Sequence, residues 1–112
     1  MGRDRWHVIE DGEALTLARR LPARFDLAAE TVLPDRIGRR RLAHRVRQDL
    51  WRALRDLRGL APVVRVTRVP GGLHVRAGGA VAGRLPRAWA EARLAALLAD
   101  PRHRARWTGS GR

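Results

Sequence analysis

Residues 62–86 read "PVVRVTRVPGGLHVRAGGAVAGRLP". Valines alternate with arginine and threonine, the period of a strand with one buried face. Two Gly-Gly pairs interrupt the run, and glycine pairs are turn signals. The stretch therefore predicts three short antiparallel strands over about 63–69, 73–77 and 80–85. Pro70-Gly71-Gly72 makes the first turn and Gly78-Gly79 the second. Val64, Val66, Leu73 and Val75 face inward, with Arg65, Thr67, His74 and Arg76 on a wet, basic face.

Upstream, residues 36–59, "RIGRRRLAHRVRQDLWRALRDLRG", carry Leu42, Val46, Leu50, Leu54 and Leu57 at helical spacing, and Gly59 closes the segment. Downstream, a helix is expected from Pro86 to Ala99, with Trp89, Leu94, Leu97 and Leu98 as its buried stripe. Asp100 caps a final turn, "PRHRARW". In front, Val8-Ile9, Glu10-Asp11-Gly12 and Leu15/Leu17 form a hairpin, or a helix over 13–20. "RFDLAAETVLP" is ambiguous by pattern; as a strand it places Phe25 and Leu27 inward.

The expected fold is a small single α+β domain. Residues 1–35 form an N-terminal arm or hairpin packing on the core. Residues 36–107 form a basic core of helix, three-stranded antiparallel meander and helix, and residues 108–112 a flexible tail. That order over 36–99 resembles the layout of double-stranded-RNA-binding domains, with "LHVRAGGAVAGRLPRAWAEARLAALLA" similar to that family's second and third strands and final helix. The family's basic cluster at the start of the last helix is absent, since the turn reads "PRAWAEAR" with Arg87 and Arg93 only. The resemblance is one of layout, and no family is claimed from it.

The 112 residues carry a formal charge of +13, with 45% hydrophobic and 31% charged residues, which suits one globular domain. All 24 basic residues are arginine, and Asn and Tyr are missing alongside Lys. A GC-rich, bacterial-like coding bias explains the choice of Arg over Lys but not the shortage of acid. Residues 1–35 hold five Arg against seven acids, net −2, and residues 36–112 nineteen against four, net +15. This asymmetry points to a polyanion or an acidic protein surface as partner. No apolar run has membrane-spanning length and the first residues lack a signal-peptide core, so a cytoplasmic protein is expected.

Catalytic chemistry finds little support. Cysteine is absent, Ser110 is the only serine, and His7, His44, His74 and His103 are scattered without metal-ligand spacing. No enzyme activity, metal or cofactor is expected.

Around the first helix, with Leu42 at zero, the apolar stripe spans about 0–120°. Trp51 falls at about 180° and His44 at about 200°. Arg40, Arg47 and Arg58 lie near roughly 140–160°, and Arg41, Arg45, Arg52 and Arg55 near roughly 220–300°. Arg47 and Arg55 each stand four residues from Trp51, a spacing that allows guanidinium–indole stacking.

These nine residues are the expected nucleic-acid or partner-binding site, with RNA or a single strand favoured over duplex DNA. Arg65, His74, Arg76, Arg102, Arg104 and Arg106 form a secondary basic surface. The alternative is an accessory or adaptor protein docking on an acidic protein surface, anchored by Trp51, Trp89 and Trp107. Whether residues 1–35 cover Trp51 decides between a stacking side chain and a structural one.

Overall fold

The computed structural model describes residues 6–109. Strands β1 (His7–Asp11), β2 (Ala14–Ala18) and β3 (Leu27–Leu33) precede helix α1 (Arg39–Leu54). Strands β4 (Leu60–Val69) and β5 (Gly72–Val81) follow, then helices α2 (Arg87–Ala99) and α3 (Pro101–Thr108). The strands form one antiparallel sheet in the order β1-β2-β4-β5-β3. The α+β class is as expected, but the topology is not.

The meander is a single long hairpin. β4 and β5 are ten residues each and meet at Pro70-Gly71. Gly78-Gly79 makes no turn: it continues β5 and pairs with Val63 and Pro62 on one side and Ala28 and Leu27 on the other. The glycines serve close approach. A Cβ at Gly78 would overlap the Leu27 carbonyl oxygen, and one at Gly79 the Ala61 carbonyl oxygen. With no third strand after β5, the layout shared with double-stranded-RNA-binding domains does not hold.

The missing neighbour comes from the N-terminal segment. β1 and β2 form the expected hairpin around Gly12, which has φ +62° and suits the first position of its two-residue turn. This excludes the alternative helix over 13–20. β2 joins the β4 side of the central hairpin, while β3 crosses to the β5 side. Residues 7–33 thus supply three of the five strands instead of lying on a finished core.

Alternation then sorts the two sheet faces. Leu15, Leu17, Val64, Val66, Leu73 and Val75 pack under Leu42, Val46, Leu50, Leu94, Leu98 and Trp107 in one core. The other face carries Ile9, Thr16, Arg65, Arg76 and Glu30 in one cross-strand row. Phe25 lies on that open face instead of inward: the Arg65 and Arg76 guanidinium carbons stand 5.4 and 4.7 Å from its ring.

Two helical expectations also change. On α2 the inward positions are Ala90, Leu94, Leu97 and Leu98, and Trp89 is 47% exposed. Ala90 stands four residues before Leu94 and Trp89 five, so the smaller residue occupies the stripe. At the other end, Thr108 belongs to α3, is buried, and donates its hydroxyl to the Arg104 carbonyl at 2.9 Å. Of the expected tail, residues 110–112 lie outside the described residues. Among the described residues, no helix is long and apolar enough to cross a membrane.

Candidate nucleic-acid interface

α1 lies on the sheet with its apolar stripe inward, which leaves an arginine-bearing ridge outward. It ends at Leu54, four residues sooner than the periodicity suggests, and Arg55 is its C-cap. Gly59, at φ +84°, then turns the chain back, and Ala82 N donates to its carbonyl at 2.8 Å. A side chain at Gly59 would overlap the Ala82 carbonyl oxygen. That turn brings Leu60, Ala61 and Pro62 beneath Trp51.

The result is a cleft of about 270 Å³ lined by Trp6, Arg19, Arg20, Arg47, Trp51 and the start of β4. Trp51 is 50% exposed, so residues 6–35 border it without covering it. The expected stacking of Arg47 on Trp51 is not what forms. The Arg47 guanidinium carbon sits 4.7 Å from the Trp6 ring centroid, and that of Arg19 5.9 Å from it.

Trp107 is fully buried and Trp89 carries Arg93 at 5.1 Å. Among the described residues, Trp51 is therefore the one tryptophan both exposed and without a ring or guanidinium partner. Its free π face points into a basic cleft.

The arginines of the expected site divide into two kinds. Arg40, Arg41, Arg55 and Arg58 are exposed, and none pairs with a carboxylate among the described residues. Arg20, at the cleft, has the same character. Arg45 is engaged in holding the fold: its Nη1 donates to the carbonyls of Arg106, Trp107 and Gly109 at 3.3, 3.0 and 3.3 Å. It thereby satisfies the C-terminal carbonyls of α3. Arg52 remains 73% exposed and leans toward Asp49 at 3.6 Å.

His44 receives Arg47 Nη2 at 3.4 Å. Burial, reinforced by the charges of Arg47 and Arg40, pushes its pKa below the ordinary histidine value. His44 is thus a neutral acceptor at neutral pH and not one of the cations.

The secondary surface does not join the cleft as one patch. Arg65, His74 and Arg76 lie on the open sheet face, where Arg65 donates to Thr16 Oγ1 at 3.1 Å and Glu30 takes His74 at 2.7 Å and Arg76 at 3.8 Å. Arg104 fastens α3 to β3 and α2, donating to Thr31 Oγ1 and the Val32 carbonyl at 2.6 and 2.8 Å and to the Leu98 carbonyl at 2.8 Å. Arg106 pairs with Asp49 at 2.8 Å. Arg102 alone of the C-terminal set is exposed without an ion pair among the described residues.

Trp6, Arg19 and Arg20 were missed as site residues. Trp6 had a legible signal: it is in phase with Val8, and both pack against the core. Nothing local tells that Arg19 and Arg20, just beyond β2, meet a helix that begins twenty residues later.

No family model matches the chain, and neither does any curated protein or solved structure.

Proposed function

We propose that this chain is a small, non-catalytic module that binds nucleic acid, with RNA or a single strand preferred to duplex DNA. The observation that carries this is the unpartnered, half-exposed indole of Trp51 in a cleft flanked by arginines. A base stacks on an aromatic face irrespective of sequence, and guanidinium groups hold the phosphates on either side. Paired bases in a duplex are already stacked and offer no free face to a recessed indole. Arg20, Arg55 and Arg58 supply phosphate contacts near the cleft, and Arg40 and Arg41 extend them along α1.

Fluorescence anisotropy with a single-stranded RNA, titrated from low to physiological salt, tests the reading. Affinity falls linearly in log–log form, by about 0.7 in slope for each phosphate neutralised on a single strand. Replacing Arg55 and Arg58 by Ala lowers that slope. Absence of binding at low salt, or binding indifferent to salt, refutes the proposal. A stoichiometric acidic protein that stays bound through nuclease treatment and moderate salt would replace it with the docking alternative.

A further inference from the structure

On the far side of α1 from Trp51, the three helices border a second, open groove of about 620 Å³. Ala53, Ala96 and Leu97 line it. Arg52 enters from α1, Arg93 from α2 and Arg106 from α3. We infer that this groove is a phosphate-type oxyanion site, distinct from the Trp51 cleft.

The charge arrangement carries the inference. Two carboxylates line the groove, Asp49 and Asp100, and each is hydrogen-bonded to a neighbouring side chain. Asp49 Oδ2 accepts from Trp107 Nε1 at 2.7 Å and Arg106 Nη2 at 2.8 Å, and its side chain is 8% exposed. Asp100 Oδ2 accepts from the backbone N–H and Nδ1 of His103 at 3.0 and 2.6 Å, as the cap of α3.

The guanidiniums remain outward. Arg52 is 73% exposed, and its 3.6 Å approach to Asp49 is too long for a hydrogen bond. The Arg106 side chain is 56% exposed and makes one bond to Asp49. Arg93 pairs with no carboxylate among the described residues and is oriented by Trp89. Each guanidinium carries five donors, so most donors on the rim are unused. Three guanidiniums against the two carboxylates Asp49 and Asp100 leave an excess of positive charge and a set of unused donors, which an oxyanion fills.

Inorganic pyrophosphate is the probe, followed by NMR of the arginine Nε–H and tryptophan indole N–H signals. Saturable shifts confined to Arg52, Arg93, Arg106 and the Trp107 indole are expected. The Arg52→Gln/Arg93→Gln double variant weakens binding by about tenfold or more. Arg84→Gln, at an exposed arginine away from both sites, does not. Both altered positions are exposed, and an unshifted Trp107 indole signal in the free double variant verifies its fold.

Shifts that do not saturate and spread over all arginines would overturn the site, as would unchanged affinity in the double variant. A 5′-phosphorylated and a 5′-hydroxyl oligonucleotide separate the sources of the phosphate. Tighter binding of the phosphorylated strand, lost in the double variant, assigns the site to nucleic-acid ends. Equal binding of the two, with pyrophosphate still saturating, assigns it to a free oxyanion.

Discussion

The indole Nε1 of Trp107 donates to Asp49 Oδ2 at 2.7 Å, across 58 residues of chain, inside the core. The same oxygen takes Arg106 at 2.8 Å. One carboxylate thus binds α3 to α1 and shapes the wall of the inter-helix groove.

Replacing Asp49 by Ala should destabilise the domain. The indole N–H would be buried without an acceptor, at about 1–3 kcal/mol. The loss of Arg106's partner adds little, because that side chain is half-exposed and returns to water. Asp49→Asn keeps an acceptor oxygen and should cost less. Urea denaturation of the two variants beside the parent measures the difference, and equal midpoints for Ala and Asn would contradict it.

Acid should act through the same carboxylate. Burial opposes its ionisation, but the hydrogen bonds from Trp107 and Arg106, with Arg106's charge, outweigh that, and its pKa lies below the ordinary value of 3.8. A carboxylate whose pKa is lower folded than unfolded contributes stability above its unfolded value. That contribution disappears as pH falls through the folded value. The stability difference between parent and Asp49→Asn should therefore be constant at neutral pH and shrink below about pH 4. Denaturation midpoints from pH 7 to pH 2 would reveal it.

Trp51 and Trp107 should respond in opposite ways to alanine. Trp51→Ala removes a half-exposed ring and should shift stability by no more than about 0.5 kcal/mol. Its effect appears in binding, with single-strand affinity weakened by about 1–3 kcal/mol, roughly five- to 150-fold, at an unchanged salt slope. Trp107→Ala empties a core position and should cost about 3–5 kcal/mol of folding stability. Thermal melts and anisotropy titrations on both variants test the contrast.

Gly78 and Gly71 stand seven residues apart, and both read as turn glycines. Gly78→Ala places a methyl group against the Leu27 carbonyl in the paired sheet and should cost about 1–3 kcal/mol or more. Gly71→Ala meets nothing within 4 Å at the hairpin tip and should fall within about 0.5 kcal/mol of the parent. Comparable losses at both sites would contradict the continuous β5.

Arg104 and Arg102 offer the same comparison for arginines. Arg104→Ala removes three hydrogen bonds, two that fasten α3 to β3 and one to α2, and should cost about 2–3 kcal/mol. Arg102→Ala, on the exposed side of α3, should be near neutral. Hydrogen exchange in β3 should quicken in the first variant only.

Much was legible where the signal is local. The valine alternation of 63–76 gave the correct inward and outward faces of β4 and β5, because strand side chains alternate whatever lies beside them. The Leu42–Leu54 stripe placed α1 on the core, and Asp100 marked the start of α3. Trp51 was correctly separated from the leucines, since angular position on a helix follows from spacing alone. The third strand failed because a Gly-Gly pair has the same composition in a turn as where a neighbouring carbonyl comes close. Only the neighbours distinguish the two: β4 for Gly79 and, for Gly78, β3, which lies some fifty residues earlier in the chain.

The sequence by itself determined an α+β chain, a basic helix with a leucine stripe, a two-faced sheet, and a strong excess of arginine. The tertiary structure alone decided which arginines are available and which tryptophan is free. Arg45, Arg104 and Arg106 hold α3 in place through partners at sequence separations of 57 to 73, apart from Arg104's bond to Leu98. Arg47 turns to Trp6 instead of its helical neighbour, and Trp51 is left open as a consequence. Guanidinium and indole groups take whichever partner the folded chain brings within reach, and that reach is set by strand order and helix packing, which residue spacing does not encode.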